Sequence, residues 1–157
     1  MIALSDEIVF FLEKQEHVIV STLEPSGGIH CSVKGIVGIE KEGKVFLIDL
    51  YFGRTFQNLK RNPAITITSV DGHRFVGYAL SGKARIVERE KIRDSIIAAW
   101  EERVIRRISQ RMLRDIKEES RAAHHPESMF PHPQYLIEID VKKITDLAPA
   151  HLKKPEE

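Results

Sequence analysis

The chain has one cysteine, one tryptophan and no long hydrophobic run, and its charges nearly cancel. Cys31 has no partner for an internal disulfide, so a reducing, cytoplasmic setting is expected. No apolar run approaches the ~18 residues that would suggest a membrane span. The opening Met1-Ile-Ala-Leu-Ser-Asp-Glu carries acid where a signal peptide would carry base. Lysine plus arginine (24) against aspartate plus glutamate (23) gives a formal charge of +1, a balance that argues against a general nucleic-acid or membrane-surface role. His124, His125 and His132 have no cysteine or carboxylate beside them at a familiar zinc spacing, so no metal site is expected. Internal repeats, low-complexity tracts and linkers are also missing. What remains is a 157-residue chain that suits one domain over 1–147 with a polar tail over 148–157, burying roughly two thirds of its unfolded surface.

Periodicity supplies the elements. Ser5 is placed to cap a helix that carries Asp6 and Glu7 in its first turn and Ile8, Phe11 and Leu12 on one face, ending near Glu16. Val18 to Leu23 reads as a strand, closed by the turn Glu24-Pro-Ser-Gly-Gly. In the next strand Ile29, Cys31, Val33, Val37 and Ile39 alternate with His30, Ser32, Lys34 and Glu40. That alternation predicts Cys31 as a packed core thiol, with Ser32 and Lys34 facing away from the core. Glu40-Lys-Glu-Gly makes a hairpin turn into Val45–Leu50, and Asp71-Gly72 marks a tight hairpin between Ala64–Val70 and a long strand. That long strand sets Val76, Tyr78, Leu80, Ala84 and Ile86 on one face, and Gly77 and Gly82 inside it suggest a bulge or bend. Long, bent antiparallel strands joined by short turns indicate a small barrel. From Glu88 the period becomes helical: Ile92, Ile96, Trp100, Val104, Ile108, Met112 and Ile116 are spaced by four. The pattern is long enough to predict a break or two packed helices. Its arginines are interleaved with acids, as on a solvated or salt-bridged face. Tyr135 to Val141 is a final strand, with Ile137 and Ile139 inward.

The most informative stretch is Lys44 to Pro63. An apolar run broken only by Asp49 is followed by Gly53, by Thr55 as a helix cap, and by Pro63 beyond the helix end. Arg54 then stands where a strand gives way to a helix N-terminus, a place suited to an anion and above all to a phosphate. On these residues alone, a solvated arginine beside a capping threonine accounts for the pattern more simply.

Taken together, Ser32 and Lys34 on an alternating strand, Arg54-Thr55-x-x-Asn58-Leu59-x-x-Asn62-Pro63, and Gly77-Tyr78-x-x-x-Gly82-x-Ala84 resemble the pyridoxamine 5′-phosphate oxidase-like family of flavin-binding split barrels, and most of all its small FMN-binding members. The resemblance implies a mainly β (α+β) fold: a six-stranded antiparallel split β-barrel with flanking helices, usually a homodimer with FMN at the subunit interface. By position it assigns Arg54 and Thr55 to the phosphate. It assigns Ser32, Val33 and Lys34 to the strand beside the ribityl chain and phosphate, Ile48, Asp49, Leu50 and Tyr51 to the isoalloxazine edge, and Asn58 to the helix. The chain ends in Leu147-Ala-Pro-Ala-His-Leu-Lys-Lys-Pro and lacks the C-terminal arginine segment of true pyridoxamine phosphate oxidases, so the vitamin substrate is not part of the expectation.

The function expected is therefore that of an FMN-dependent oxidoreductase of unknown substrate, with no catalytic side chain assigned. Two other readings stand beside it: a non-catalytic flavin carrier or redox sensor, and the same barrel holding a deazaflavin or haem.

Overall fold

The computed structural model describes residues 1–117 and 130–153. Helix α1 (Asp6–Glu13) leads into β1 (His17–Leu23), β2 (Ile29–Glu40) and β3 (Lys44–Asp49). Helix α2 (Arg54–Arg61) connects these to β4 (Ala64–Asp71) and β5 (Val76–Glu88). The long helix α3 (Asp94–Lys117) precedes the last strand, β6 (Tyr135–Asp146). The six strands close into an antiparallel barrel in the order β1-β2-β3-β6-β5-β4, with β4 returning to β1. Six-stranded closure and flanking helices are as the resemblance implied.

Alternation builds the interior. Val18 and Val20, Val45 and Leu47, Ile65 and Ile67, Tyr78 and Leu80, and Ile137, Ile139 and Val141 share one core inside the barrel. The Ser5 hydroxyl accepts from the Ile8 N–H at 3.3 Å and starts α1, which adds Ile8, Val9, Phe11 and Leu12 to that core. Each such fully buried side chain contributes about 1.5–3 kcal/mol. A second apolar cluster lies outside the barrel wall, where Ile92, Ile96 and Trp100 cover Val37, Phe46, Ile48 and Leu136.

Strand β2 departs from its expected facing. The register slips between Ile36 and Gly38, so Val37 is an extra residue with no partner on β3. Ahead of this bulge the even positions Ser32, Lys34 and Ile36 turn toward the interior, while Ile29 (66% exposed) and Val33 (62% exposed) face outward. Cys31 is exposed as well, so it is not the core thiol that simple alternation predicts. A period-two pattern read across a bulge assigns one half of the strand to the wrong side.

Three smaller differences follow from local chemistry. The β4–β5 connection is a four-residue loop, Gly72–Phe75, because the Asp71 carboxylate accepts from the backbone of His73 (3.0 Å) and Arg74 (3.2 Å) and widens the turn. The predicted helix break falls before α3, at a 3-10 turn over Arg89–Lys91, and α3 itself runs 24 residues without interruption. Helix α1 ends at Glu13, short of Glu16.

Gly82 sits where β5 shifts register against β6. A Cβ there would lie 2.1 Å from the backbone oxygen of Asp140, so no side chain fits without parting the two strands. Gly82→Ala should lower stability by about 1–3 kcal/mol. Gly72→Ala, where a Cβ meets nothing within 4 Å, should stay within about 0.5 kcal/mol of wild type. Urea unfolding of the two variants checks the contrast, and equal midpoints would contradict the close approach.

Candidate functional site

The barrel interior turns polar at one end. Thr22, Ser32, Lys34, Asp49 and Tyr135 gather there on β1, β2, β3 and β6, and α2 lies across them. Asn58 on α2 donates to the Thr22 hydroxyl at 3.1 Å. The Thr55 and Ser32 hydroxyls are 2.9 Å apart and hydrogen bonded. Thr55 is therefore not the helix cap; that position is Gly53. Asp49, 3% exposed, is the hub of the group. Its Oδ2 receives the Lys34 ammonium at 2.7 Å and the Tyr135 hydroxyl. Its Oδ1 accepts from the backbone N–H groups of Leu50 (2.9 Å) and Tyr51 (3.4 Å). Burial, and then the hydrogen bond and negative charge of Asp49, push the Tyr135 phenol far above its ordinary pKa, so it remains a donor.

The ten residues singled out from the sequence divide evenly between two sides of this wall. Ser32, Lys34, Asp49, Thr55 and Asn58 form or close the polar end. Val33 and Tyr51 are exposed, Ile48 and Leu50 belong to the outer apolar cluster, and Arg54 opens α2 with its side chain 67% exposed. Lys34, expected to face a phosphate, is held by Asp49. Two participants have no sequence signature: Tyr135, which pairs with Asp49 across β3 and β6, and Glu24, whose carboxylate holds Arg54 at 3.2 Å. Strand register brings in Tyr135, and the turn between β1 and β2 brings in Glu24.

The start of α2 has the donors a phosphate needs. Gly53 offers its first-turn amides no side-chain acceptor, leaving N–H groups available at the positive end of the helix. The Arg54 guanidinium and the Ser32–Thr55 hydroxyl pair stand beside them. Glu24, the acid engaged there among the described residues, is partly exposed, and its pair with the exposed Arg54 side chain is readily exchanged for a ligand anion. The residues present therefore fit the phosphate of a flavin nucleotide.

Two hollows flank this region. A cleft of about 1120 Å³ runs beside α2 and is lined by Phe52, Phe56, Tyr135, Lys44, Arg85 and Glu138. In it Phe52 stacks on Tyr135 with ring centroids 5.6 Å apart. Burial favours a raised Glu138 pKa, but Lys44 and Arg85 outweigh it and hold the carboxyl below its ordinary value. A smaller cavity of about 300 Å³ separates α3 from β2 and β3. Among the described residues no three metal-ligating side chains gather. His132 is exposed, and His124 and His125 lie outside the described residues.

The family model for pyridoxamine 5′-phosphate oxidase matches residues 4–148. The chain belongs to the pyridoxamine 5′-phosphate oxidase family. Solved structures share the family's barrel at low identity. HupZ from Group A Streptococcus is 18% identical, over 92% of this chain and 94% of that one, with a TM-score of 0.62. A protein of the pyridoxinephosphate oxidase family from Clostridium acetobutylicum, related to general stress protein 26, is 20% identical over 94% and 88%, with a TM-score of 0.59. An F420 reductase is 12% identical over 90% and 98%, with a TM-score of 0.60. No curated protein matches. At these identities the structures share the fold and nothing finer. No helix among the described residues is long and apolar enough to cross a membrane.

The polar end allows a stability test. Asp49→Asn leaves the Lys34 ammonium, 14% exposed, without its counter-ion and should cost about 3–5 kcal/mol. Arg54→Ala breaks only a surface pair and should cost about 1 kcal/mol or less. Chemical denaturation ranks the two, and a smaller loss for Asp49→Asn would remove Asp49 as the hub.

Proposed function

We propose that this chain is an FMN-binding flavoprotein of the oxidoreductase class, acting in the cytoplasm as a homodimer with the cofactor at the subunit interface. The observation that carries the reading is the adjacency of an anion seat and an uncovered apolar face. Register pairs Ile19 with Val33, Ser21 with Cys31 and Leu23 with Ile29. Ile19, Ile29 and Val33 are all exposed on the barrel's outer surface, close to the strand that carries Ser32 and Lys34. A second subunit is the natural cover for such a patch. Light scattering at micromolar concentration should report twice the 18.0 kDa of one chain; a monomer would overturn the interface model.

Bound FMN would supply hydride or electron transfer. Arg54 and the first amides of α2 bind and orient its phosphate. The Asp49–Lys34–Tyr135 group fixes the backbone from Ile48 to Tyr51 by holding the amides of Leu50 and Tyr51. Ile48 and Leu50 supply an apolar wall that excludes water. The same residues would serve a non-catalytic carrier or sensor, and rapid turnover with NAD(P)H separates the enzyme from the carrier. The F420 reductase among the structural neighbours supports a second reading, a deazaflavin in the same seat. The absorbance spectrum of the purified protein distinguishes flavin, deazaflavin and haem.

Arg54 gives the sharpest test. Loss of a charge-assisted bond worth about 1.5–3 kcal/mol should weaken FMN binding about 10- to 100-fold in Arg54→Ala. Riboflavin, without the phosphate, should bind wild type and variant alike. Arg54→Lys should recover only part of the loss, because an ammonium keeps the charge but not the fork. Equal FMN affinity in wild type and Arg54→Ala, measured by flavin fluorescence, would take Arg54 out of the site.

A further inference from the structure

Trp100, Arg103, Val104 and Arg107 follow one another at helical spacing along the face of α3 that looks onto β2 and β3. Val33, Ile48, Leu50 and Tyr51 form the opposite wall of the cavity of about 300 Å³, and Phe130 also lines it. Most of this lining is apolar or aromatic, and the cations in it differ in what they do. Lys34 is committed to Asp49 at 2.7 Å. Arg107 donates to the Glu16 backbone oxygen at 2.8 Å, and its Nε lies 3.5 Å from the Glu16 carboxylate. Arg103 is half-buried and makes neither a hydrogen bond nor an ion pair among the described residues. Burial, then the repulsion of Arg106 and Arg107, draws its guanidinium below the ordinary value, against a weaker pull from Glu13 and Glu102. A partly desolvated cation with no direct ion pair among the described residues is costly, and a ligand anion relieves that cost.

We propose that this cavity binds a small planar carboxylate, its apolar body against Trp100 and Tyr51 and its carboxylate on Arg103. The volume stands at the lower end of the ~300–1,000 Å³ range of ligand pockets, which suits a single-ring molecule and not a tricyclic flavin. The Arg103 guanidinium matches a monoanion in the bidentate geometry that guanidinium and carboxylate share. The cavity shares Val33 and the Ile48–Tyr51 segment with the proposed flavin seat, so the ligand would lie beside the cofactor as its substrate. That last role rests on the flavoprotein reading; the binding chemistry does not.

Trp100 is the single tryptophan of the chain and reports directly on the cavity. The experiment titrates flavin-free protein with benzoate, and with benzamide as the neutral isostere at matched ionic strength, following tryptophan emission. Benzoate should bind saturably and about 10- to 100-fold more tightly than benzamide. Arg103→Gln should bring the two together, while Arg106→Gln, altering an exposed neighbour, should preserve the difference. Equal binding of the two compounds to wild type, no saturable response to benzoate, or discrimination that survives Arg103→Gln would each overturn the proposal. The wild-type comparison decides even if Arg103→Gln does not fold, as judged by circular dichroism. FMN titrated in parallel separates the two ideas. Benzoate binding without FMN binding would leave the cavity standing and remove the flavin, and FMN binding without benzoate discrimination would do the reverse.

Discussion

A single buried carboxylate organises the polar end of this barrel. Asp49 ends β3 inside the barrel, where an ionised side chain is costly unless every oxygen is answered. The answers come from four places: an ammonium on β2, a phenol on β6 and two amides of the chain leaving β3. Meeting that demand fixes three strands against one another and aims the chain into α2. The helix then closes the same end with Thr55 on Ser32 and Asn58 on Thr22. Polar residues that resemble ligand contacts in one dimension thus serve first as the barrel's stopper. Their neighbours Val33, Tyr51 and Arg54 are the side chains left exposed.

The bulge at Val37 complements this arrangement. It lets one strand face two environments, with Ser32, Lys34 and Ile36 turned inward ahead of it and Val37 turned outward beneath α3. Without the extra residue, Gly38 would turn inward and Ile39, now packed on the interior core, would turn outward. The surface therefore carries two apolar regions of different kinds. One is sealed by Ile92, Ile96 and Trp100; the other, around Ile19 and Ile29, is exposed among the described residues, with Val33 at its border with the cavity beneath α3.

Most of the fold was legible in the chain. The Ser5 cap, the β2–β3 and β4–β5 hairpins, the bend at Gly82 and the inward facing of Ile137 and Ile139 follow from spacing and turn chemistry, which are local properties. The family was legible as well, because Arg54-Thr55 and Asn62-Pro63 stand at characteristic spacing. What could not be read was anything decided by register. The facing of Ser32 and Cys31 hinges on a bulge that no residue type announces. The partnership of Asp49 with Tyr135 joins residues 86 positions apart, and that of Arg54 with Glu24 joins residues 30 apart. Such pairings exist only once the barrel has closed, so composition and periodicity carry no trace of them.

Closure of the barrel has a consequence for how copies of this chain can meet. With β4 hydrogen-bonded back to β1, no strand lies wholly at an edge; the stretches paired on one side only include Ile29–Lys34 of β2, which meets β3 from Gly35 onward, and the end of β6 beyond Val141. The route to association by strand addition, and to the fibrillar assemblies that grow from it, is thereby confined to short stretches of backbone. Contacts between copies over the rest of the barrel are made by side chains, sheet face against sheet face. Such contacts are selective and reversible in a way that a continued ladder of peptide hydrogen bonds is not. The bare isoleucine and valine on this β surface thus have fewer open backbone groups beside them than the same residues would have on an open sheet.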